Sequence, residues 1–159
     1  MNPNQSSKPK TKIVLLAEDD ADDIYLIGEA IDECGLDARV LNVQDGEELL
    51  QMLRHQDKYQ SSKDWPRPDL ILLDLNMPLK DGREALSEIK ADPDLCTIPV
   101  VVLTTSKADD DLEHSYAVGA SGFVTKPVSF SGLRDAIQKI GEYWLATVKL
   151  PDDSPHQEG

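Results

Sequence analysis

The chain has 159 residues, a length that suits one well-buried domain and is short for two. Apolar residues make up 40% of it, enough to build a core, while 16 basic and 30 acidic residues give a formal net charge of −14. This charge argues against nonspecific binding to nucleic acid or to an anionic membrane, and it favours proteins or cations as partners.

Five short apolar runs recur along the chain and predict five strands. They are KIVLLA (12–17), ARVLNV (38–43), DLILLDL (69–75), IPVVVLTT (98–105) and SGFVTK (121–126). Helical spacing lies between them: Ile24, Ile27 and Ile31, for example, share one face at a period of about 3.6. The third and fourth runs are apolar on both faces, as in strands of a parallel sheet that helices cover on both sides. The alternation predicts a doubly wound α/β sandwich.

Helix start signals support this division. Asp45 stands three residues before Glu48 and Asp81 three before Glu84, each a pattern like a capping box. The last helix is expected to begin near Ser129 or Ser131, with apolar residues at helical spacing further on. These are Leu133, Ile137, Ile140, Trp144 and Val148.

The remaining segments are polar. Residues 55–68 lack a clear period and predict a long loop before the third strand, pinned by Trp65. The ends, 1–11 and 149–159, are predicted to be mobile, which leaves one domain at 12–148. No apolar run reaches membrane-spanning length and the start lacks the apolar stretch of a secretory signal, so a cytoplasmic location is expected.

Polar residues gather at the carboxyl ends of the predicted strands, where ligands bind in an open parallel sheet. They are Glu18 and Asp19 after the first strand, Asp74 and Asn76 after the third, Thr104 at the end of the fourth, and Lys126 with Pro127 after the fifth. Crowded carboxylates repel one another and require a cation. Mg²⁺ prefers oxygen ligands, and Asp19, Asp74 and a backbone carbonyl near Asn76 would suit it, with Glu18 acting through a bound water.

This constellation can support phosphoryl transfer. A carboxylate such as Asp74 can attack phosphorus if a metal and a nearby cation, here Lys126, offset the charge on the phosphoryl oxygens. Thr104 can donate its hydroxyl to a phosphoryl oxygen once Asp74 is modified. The sequence therefore predicts a phosphorylation switch rather than an enzyme acting on a separate substrate.

Four motifs, LAED, LLDLNMPLKDG, PVVVLTT and GASGFVTKP, resemble the receiver domains of bacterial two-component response regulators over residues 12–146. The resemblance implies a flavodoxin-like five-stranded parallel sheet of order 2-1-3-4-5 with five helices, and a phosphoryl group taken by Asp74 from a phosphohistidine of a sensor kinase. It further implies that Glu18, Asp19 and the Asn76 carbonyl serve the Mg²⁺ site. Thr104 and Lys126 match the phosphate-sensing residues.

Three further implications come from the same resemblance. Phe123 stands where the family has its rotating switch aromatic, and the bond between Lys126 and Pro127 is expected to be cis. The loop before the third strand and the ending EYWLATVKLP resemble stand-alone regulators that partner cyanobacterial phytochrome kinases. Nothing after Lys149 could form a DNA-binding helix pair, so output is expected through an unidentified downstream protein and a homodimer formed by the fourth helix, fifth strand and fifth helix.

Plainer explanations exist for several of these residues. The acids at 18–23 could simply favour a helix N-terminus, and Asp74 could cap a turn. Thr104 could be an ordinary strand residue whose role Thr105 takes, and Phe123 could be a core ring with no switching duty. The presence of all the site residues at one predicted sheet edge favours the functional interpretation.

Two other functions compete. A phosphatase of the haloacid dehalogenase type also uses an aspartate nucleophile, Mg²⁺, a hydroxyl and a lysine, but it needs a second acid two residues after the nucleophile, where this chain has Asn76. Its nucleophile also follows the first strand, whereas Asp74 follows the third. A degenerate receiver that only binds partners would lack some of the expected side chains, and all are present here.

Overall fold

The computed structural model describes residues 11–105 and 108–151, which form five strands and five α-helices in alternation. The strands are β1 (Lys12–Ala17), β2 (Ala38–Val43), β3 (Leu70–Leu73), β4 (Val100–Thr104) and β5 (Gly122–Thr125). The helices are α1 (Ala21–Glu33), α2 (Gly46–Leu53), α3 (Gly82–Ala91), α4 (Asp109–Val118) and α5 (Phe130–Gly141). A 3-10 turn at Asp57–Tyr59 and a π-helical turn at Glu142–Thr147 complete the described elements.

All five strands are parallel and lie in the order β2-β1-β3-β4-β5. Strands β3 and β4 are buried along their whole length, as their apolar runs predicted. The doubly wound, flavodoxin-like sheet is therefore confirmed. Because β1 and β3 are neighbours while β1 also pairs with β2, the chain changes direction across the sheet after β2, and a crevice opens at the carboxyl ends of β1 and β3.

The sheet has a separate apolar core on each face. Alternate residues of β3 point to opposite faces, so Leu70 and Leu72 pack with α1 and α5, whereas Ile71 and Leu73 pack with α2 and α3. Each buried Leu or Ile side chain of this kind contributes about 1.5 to 3 kcal/mol relative to an exposed one. Burial on both faces keeps the strand ends at a fixed edge.

The predicted helix caps are present. The Asp45 side chain accepts a hydrogen bond from the backbone N–H of Glu48, and Asp81 accepts one from Glu84. Of the two candidate starts for the last helix, Ser129 is the N-cap. These caps fix the first turn of three helices whose N-termini lie at the same edge as the carboxyl ends of the strands.

The long loop is better ordered than its sequence suggested. Trp65 does pack against the core, but the side chain that anchors the loop is Tyr59, which is 2% exposed. The two rings meet edge to face with centroids 4.7 Å apart, and the Tyr59 hydroxyl donates to the Glu48 carboxylate at 2.5 Å. Sequence reasoning overlooked Tyr59 because the polar stretch around it has no periodicity that marks a buried position.

Several boundaries differ from the prediction. Strands β3, β4 and β5 are each shorter than their apolar runs, and Val148 lies beyond the last helical turn. Most of the ends predicted to be mobile lie outside the described residues. Among the described helices, none is long and apolar enough to cross a membrane.

Candidate functional site

Four strand ends bring the predicted site residues to one edge of the sheet. Glu18 follows β1, Asp74 follows β3, Thr104 ends β4 and Lys126 follows β5. Glu18 and Thr104 are almost wholly buried and Asp74 is 7% exposed, whereas Asp19 is exposed to solvent. The site therefore contains two buried carboxylates, Glu18 and Asp74, and a third, Asp19, that is exposed to solvent.

Three carboxylates form a cluster at this edge. One oxygen from each of Glu18, Asp19 and Asp74 lies within 4.8 Å of the other two. Such a set of close oxygen donors fits a hard divalent cation, which would offset the repulsion among the carboxylates. The other predicted ligand, the backbone carbonyl of Asn76, lies two residues beyond Asp74 on the same loop.

The ammonium group of Lys126 provides positive charge inside this acidic site. It donates to Glu18 at 2.5 Å and to Asp23 at 2.8 Å, and it lies 3.4 Å from Oδ2 of Asp74. Burial alone would lower the pKa of Lys126, but the carboxylates of Asp23, Glu18 and Asp74 outweigh it and raise the pKa. Lys126 therefore stays protonated beside the acids.

The prediction that the bond between Lys126 and Pro127 is cis is wrong: this bond is trans, like every peptide bond among the described residues. The trans form is the lower-energy form of a bond before proline. Lys126 reaches the acids without it, because its backbone N–H donates to the carbonyl of Thr104 at 2.8 Å and so continues the pairing of β5 with β4.

Burial strongly affects the carboxyl group of Glu18. Desolvation raises the pKa of this carboxyl to about 7; the hydrogen bond from Lys126 opposes the rise and the charge of Asp74 adds to it. Its second oxygen accepts the backbone N–H of Asp20 at 3.1 Å. Glu18 is thus held by two donors.

Asp23 is a site residue that sequence reasoning assigned only to the helix start. It lies in the first turn of α1, where its own N–H donates to the N-cap Asp20, and its carboxylate reaches across to Lys126. Helical spacing gave no signal for it, because Asp19 precedes the N-cap Asp20 and lies outside the helix. Asp23 therefore shares Lys126 with the two buried acids.

The loop after β3 is shaped by close contacts around Asp74. The backbone N–H of Asn76 donates to Oδ1 of Asp74 at 3.1 Å, and the Asn76 amide donates to the Thr104 hydroxyl at 3.4 Å. A Cβ at Gly82 would lie 2.3 Å from the Asp74 carbonyl oxygen, so only glycine lets α3 begin so close to the loop. The start of α3 is packed against the site.

Thr104 and Phe123 lie on one face of neighbouring strands. Thr104 pairs with Thr125 and Val102 with Phe123, and residues two apart on a strand point to the same side. Phe123 is partly buried and packs against the core that α2 and α3 share. This geometry allows contact between Thr104 and Phe123. The packing of Phe123 against the core would by itself also explain an aromatic ring at this position.

Comparisons with known proteins extend over nearly the whole chain. A family model described as the response regulator receiver domain matches residues 14–138. Response regulator Rcp1 of Synechocystis sp. is 43% identical over 148 residues, which are 93% of this chain and 97% of that protein.

Solved structures give the same result. The chain resembles one described as the phosphorylated cyanobacterial phytochrome response regulator RcpA, with a TM-score of 0.86, 45% identity, and coverage of 90% of this chain and 100% of that one. It also resembles the Mn²⁺-bound form of Rcp1, with a TM-score of 0.84, 43% identity, and coverage of 89% and 99%. Both likenesses cover about nine tenths of this chain.

Proposed function

The chain belongs to the response regulator receiver family, and on that premise we propose that it accepts a phosphoryl group on Asp74 from a phosphohistidine of a sensor histidine kinase. The observation that carries the proposal is the position of Asp74, a carboxylate at the carboxyl end of a buried strand, with the Lys126 ammonium 3.4 Å from its Oδ2. We assign the receiver domain to residues 12–148.

The metal of this reaction is proposed to be Mg²⁺. Asp19, Asp74 and the backbone carbonyl of Asn76 would hold it, with Glu18 acting through a bound water. When bound, the cation would offset negative charge on the oxygens of the transferring phosphoryl group. The acidic cluster and the Mn²⁺-bound form of Rcp1 support a divalent cation here.

The chain's own residues then have defined roles in the transfer. An oxygen of Asp74 attacks phosphorus, the bond from phosphorus to the donor's imidazole nitrogen breaks, and its electron pair stays on that nitrogen. The ammonium group of Lys126 stabilises the negative charge on the phosphoryl oxygens. Thr104 donates its hydroxyl to one of these oxygens, and Phe123, on the same sheet face, responds by turning inward.

The kinase is proposed to be of the phytochrome type. Similarity to RcpA and Rcp1 over nearly their full lengths supports this partner. The test is phosphotransfer from a purified phytochrome kinase, compared with a histidine kinase of another stimulus class at equal concentration. Faster transfer from the phytochrome kinase is expected, and equal or slower transfer would refute this choice of partner.

Output is proposed to pass through the face formed by α4, β5 and α5, which would contact a downstream protein and a second copy of the chain. Strand β5 is an edge of the sheet, and α4 exposes Leu112 and Tyr116. Light scattering should give a dimer mass that Tyr116→Lys reduces, while Arg39→Ala, at an exposed residue of β2 on the opposite edge of the sheet, leaves it unchanged. A monomer mass with and without phosphorylation would rule out the homodimer.

The central claim is tested with a small phosphodonor. Acetyl phosphate and Mg²⁺ should add one phosphoryl mass to the wild type and to Asp135→Asn, an exposed acid on α5, but none to Asp74→Asn. If the wild type gains no mass, or Asp74→Asn gains it, the claim fails.

The same sample separates the two competing functions. A phosphatase of the haloacid dehalogenase type would turn over a general phosphomonoester, and a degenerate receiver would take no phosphoryl group. The phosphatase lacks support because the position two after Asp74 is held by an amide, whose nitrogen contacts Thr104, rather than by a carboxylate.

A further inference from the structure

Helix α4 is held to the rest of the domain by little apolar burial. Ser115 is the one buried residue of its ten, whereas each of the other four helices buries several apolar residues. The buried hydroxyl oxygen of Ser115 has no hydrogen-bond partner among the described residues, so its burial adds little to the attachment. Polar contacts therefore matter more for α4 than for its neighbours.

A paired ionic contact joins the first turn of α4 to α3. Arg83 donates from Nε and from Nη2 to the two carboxylate oxygens of Asp111, each at 2.7 Å. The Asp111 side chain is 14% exposed and that of Arg83 is 32% exposed, so the contact is partly shielded from water. A forked pair of this kind fixes orientation as well as distance.

The same arginine reaches the loop of the phosphoacceptor. Its Nη2 donates to Oδ1 of Asn76 at 3.3 Å, and Nη1 donates to the carbonyl of Leu75 at 3.3 Å. A guanidinium can only donate, so it requires the amide oxygen of Asn76 to face it. The amide nitrogen then faces Thr104, to whose hydroxyl it donates at 3.4 Å.

We propose that Arg83 is a positioning residue that orients the Asn76 amide toward Thr104 and ties this pair to α4 through Asp111. The proposal rests on the proposed function in one respect: phosphorylation of Asp74 draws the Thr104 hydroxyl to a phosphoryl oxygen, which weakens its contact with Asn76. The change passes to Arg83 and so to the first turn of α4. This connection lies on the opposite side of Thr104 from β5 and is separate from the aromatic ring of Phe123.

The experiment is hydrogen exchange of residues 108–118, with and without acetyl phosphate and Mg²⁺, combined with intact mass. The variants are Arg83→Gln and Asp111→Asn, and Arg83→Lys keeps the charge but loses the fork. Arg54→Gln is the matched control, because Arg54 has a similar exposure of 33% and pairs with Glu88 and Asp92 on the other side of α3.

In the unphosphorylated state, Arg83→Gln and Asp111→Asn should speed exchange in α4 by about fivefold, the effect of losing one partly exposed ion pair. Arg83→Lys should not restore the wild-type rate, and Arg54→Gln should match the wild type. All variants should still gain the phosphoryl mass, yet the three that lose the fork, Arg83→Gln, Arg83→Lys and Asp111→Asn, should lose most of the α4 response. A general structural defect would slow phosphorylation as well.

Two results would overturn the proposal. One is an exchange rate of α4 in unphosphorylated Arg83→Gln that equals the wild-type rate, which would show that Arg83 does not hold α4. The other is a full α4 response to phosphorylation in Arg83→Gln or Asp111→Asn, which would show that Arg83 does not couple the site to α4. Failure of the proposed function can be distinguished from failure of this proposal, because the wild type would then gain no phosphoryl mass. The exchange rates of the unphosphorylated proteins would still decide whether Arg83 holds α4.

Discussion

The ammonium group of Lys126 lies 2.5 Å from a carboxylate oxygen of Glu18, although 108 residues separate them in the sequence. Their side chains are 6% and 2% exposed, so neither charge is compensated by water. The pair joins the end of β1 to the end of β5, two strands on opposite sides of β3, and keeps the acids of the site together before any cation or phosphoryl group arrives.

Removal of Lys126 should therefore destabilise the fold. Lys126→Met leaves Glu18 and Asp74 buried without their cation and should lower the free energy of unfolding by about 3 kcal/mol in metal-free buffer. Urea denaturation measures this change. The double variant Glu18→Gln with Lys126→Met should recover part of it, and Lys139→Met, at an exposed lysine of α5, should have little effect. A loss for Lys126→Met no larger than that of the control would contradict the prediction.

Asp19 should dominate metal affinity at the rim of the site. Asp19→Asn should raise the Mn²⁺ dissociation constant by at least about tenfold, a loss already typical when only a supporting residue of a metal site is removed. Free Mn²⁺ in the titration is measured by electron paramagnetic resonance. Asp22→Asn, at an exposed acid of the same helix start outside the cluster, serves as the control. Equal weakening by both substitutions would show a general charge effect instead.

Gly82 and Gly28 should respond in opposite directions to alanine. Gly82→Ala places a methyl group against the Asp74 carbonyl oxygen and should lower the free energy of unfolding by about 2 kcal/mol. Gly28 lies within α1 and, apart from the backbone of its own helix, has open space for 4 Å around the place where a methyl group would stand. Gly28→Ala should therefore raise the free energy of unfolding by about 0.5 to 1 kcal/mol through helix propensity. Thermal or urea unfolding checks both, and a neutral Gly82→Ala would mean that α3 can shift away from the loop.

The Tyr59 hydroxyl should make a stability contribution that depends on pH. Burial alone would raise the pKa of Glu48, but hydrogen bonds from Tyr59, the Gln44 N–H and Lys58 lower it below its ordinary value of 4.5. A carboxylate with a lowered pKa stabilises the fold above pH 4.5, and the effect is lost as pH falls through the folded-state pKa.

Tyr59→Phe keeps the ring in the core and should lower the free energy of unfolding by about 1 kcal/mol at neutral pH. The difference from wild type should shrink in denaturation series run below pH 4.5. Tyr143→Phe, at a half-exposed ring, should be neutral throughout. A constant difference at all pH values would point to lost packing rather than to the contact with Glu48.

The sequence alone was enough for features that depend on neighbours within a few residues. Apolar runs located the strands, the Asp45 and Asp81 caps located two helix starts, and the order of acids, hydroxyl and lysine located the site edge. The central strands could be recognised because burial on both faces requires continuous apolar side chains, which is a local pattern.

Tertiary structure alone decided the contacts between distant segments. Asp23 shares Lys126 only because α1 and the end of β5 meet, and Arg83 joins Asn76 to Asp111 only because α3 lies beside α4. Local periodicity indicates which side of a helix or strand is buried. The partner of a charged side chain depends instead on how the helices and strands pack, so the pattern of polar residues in the sequence cannot predict it.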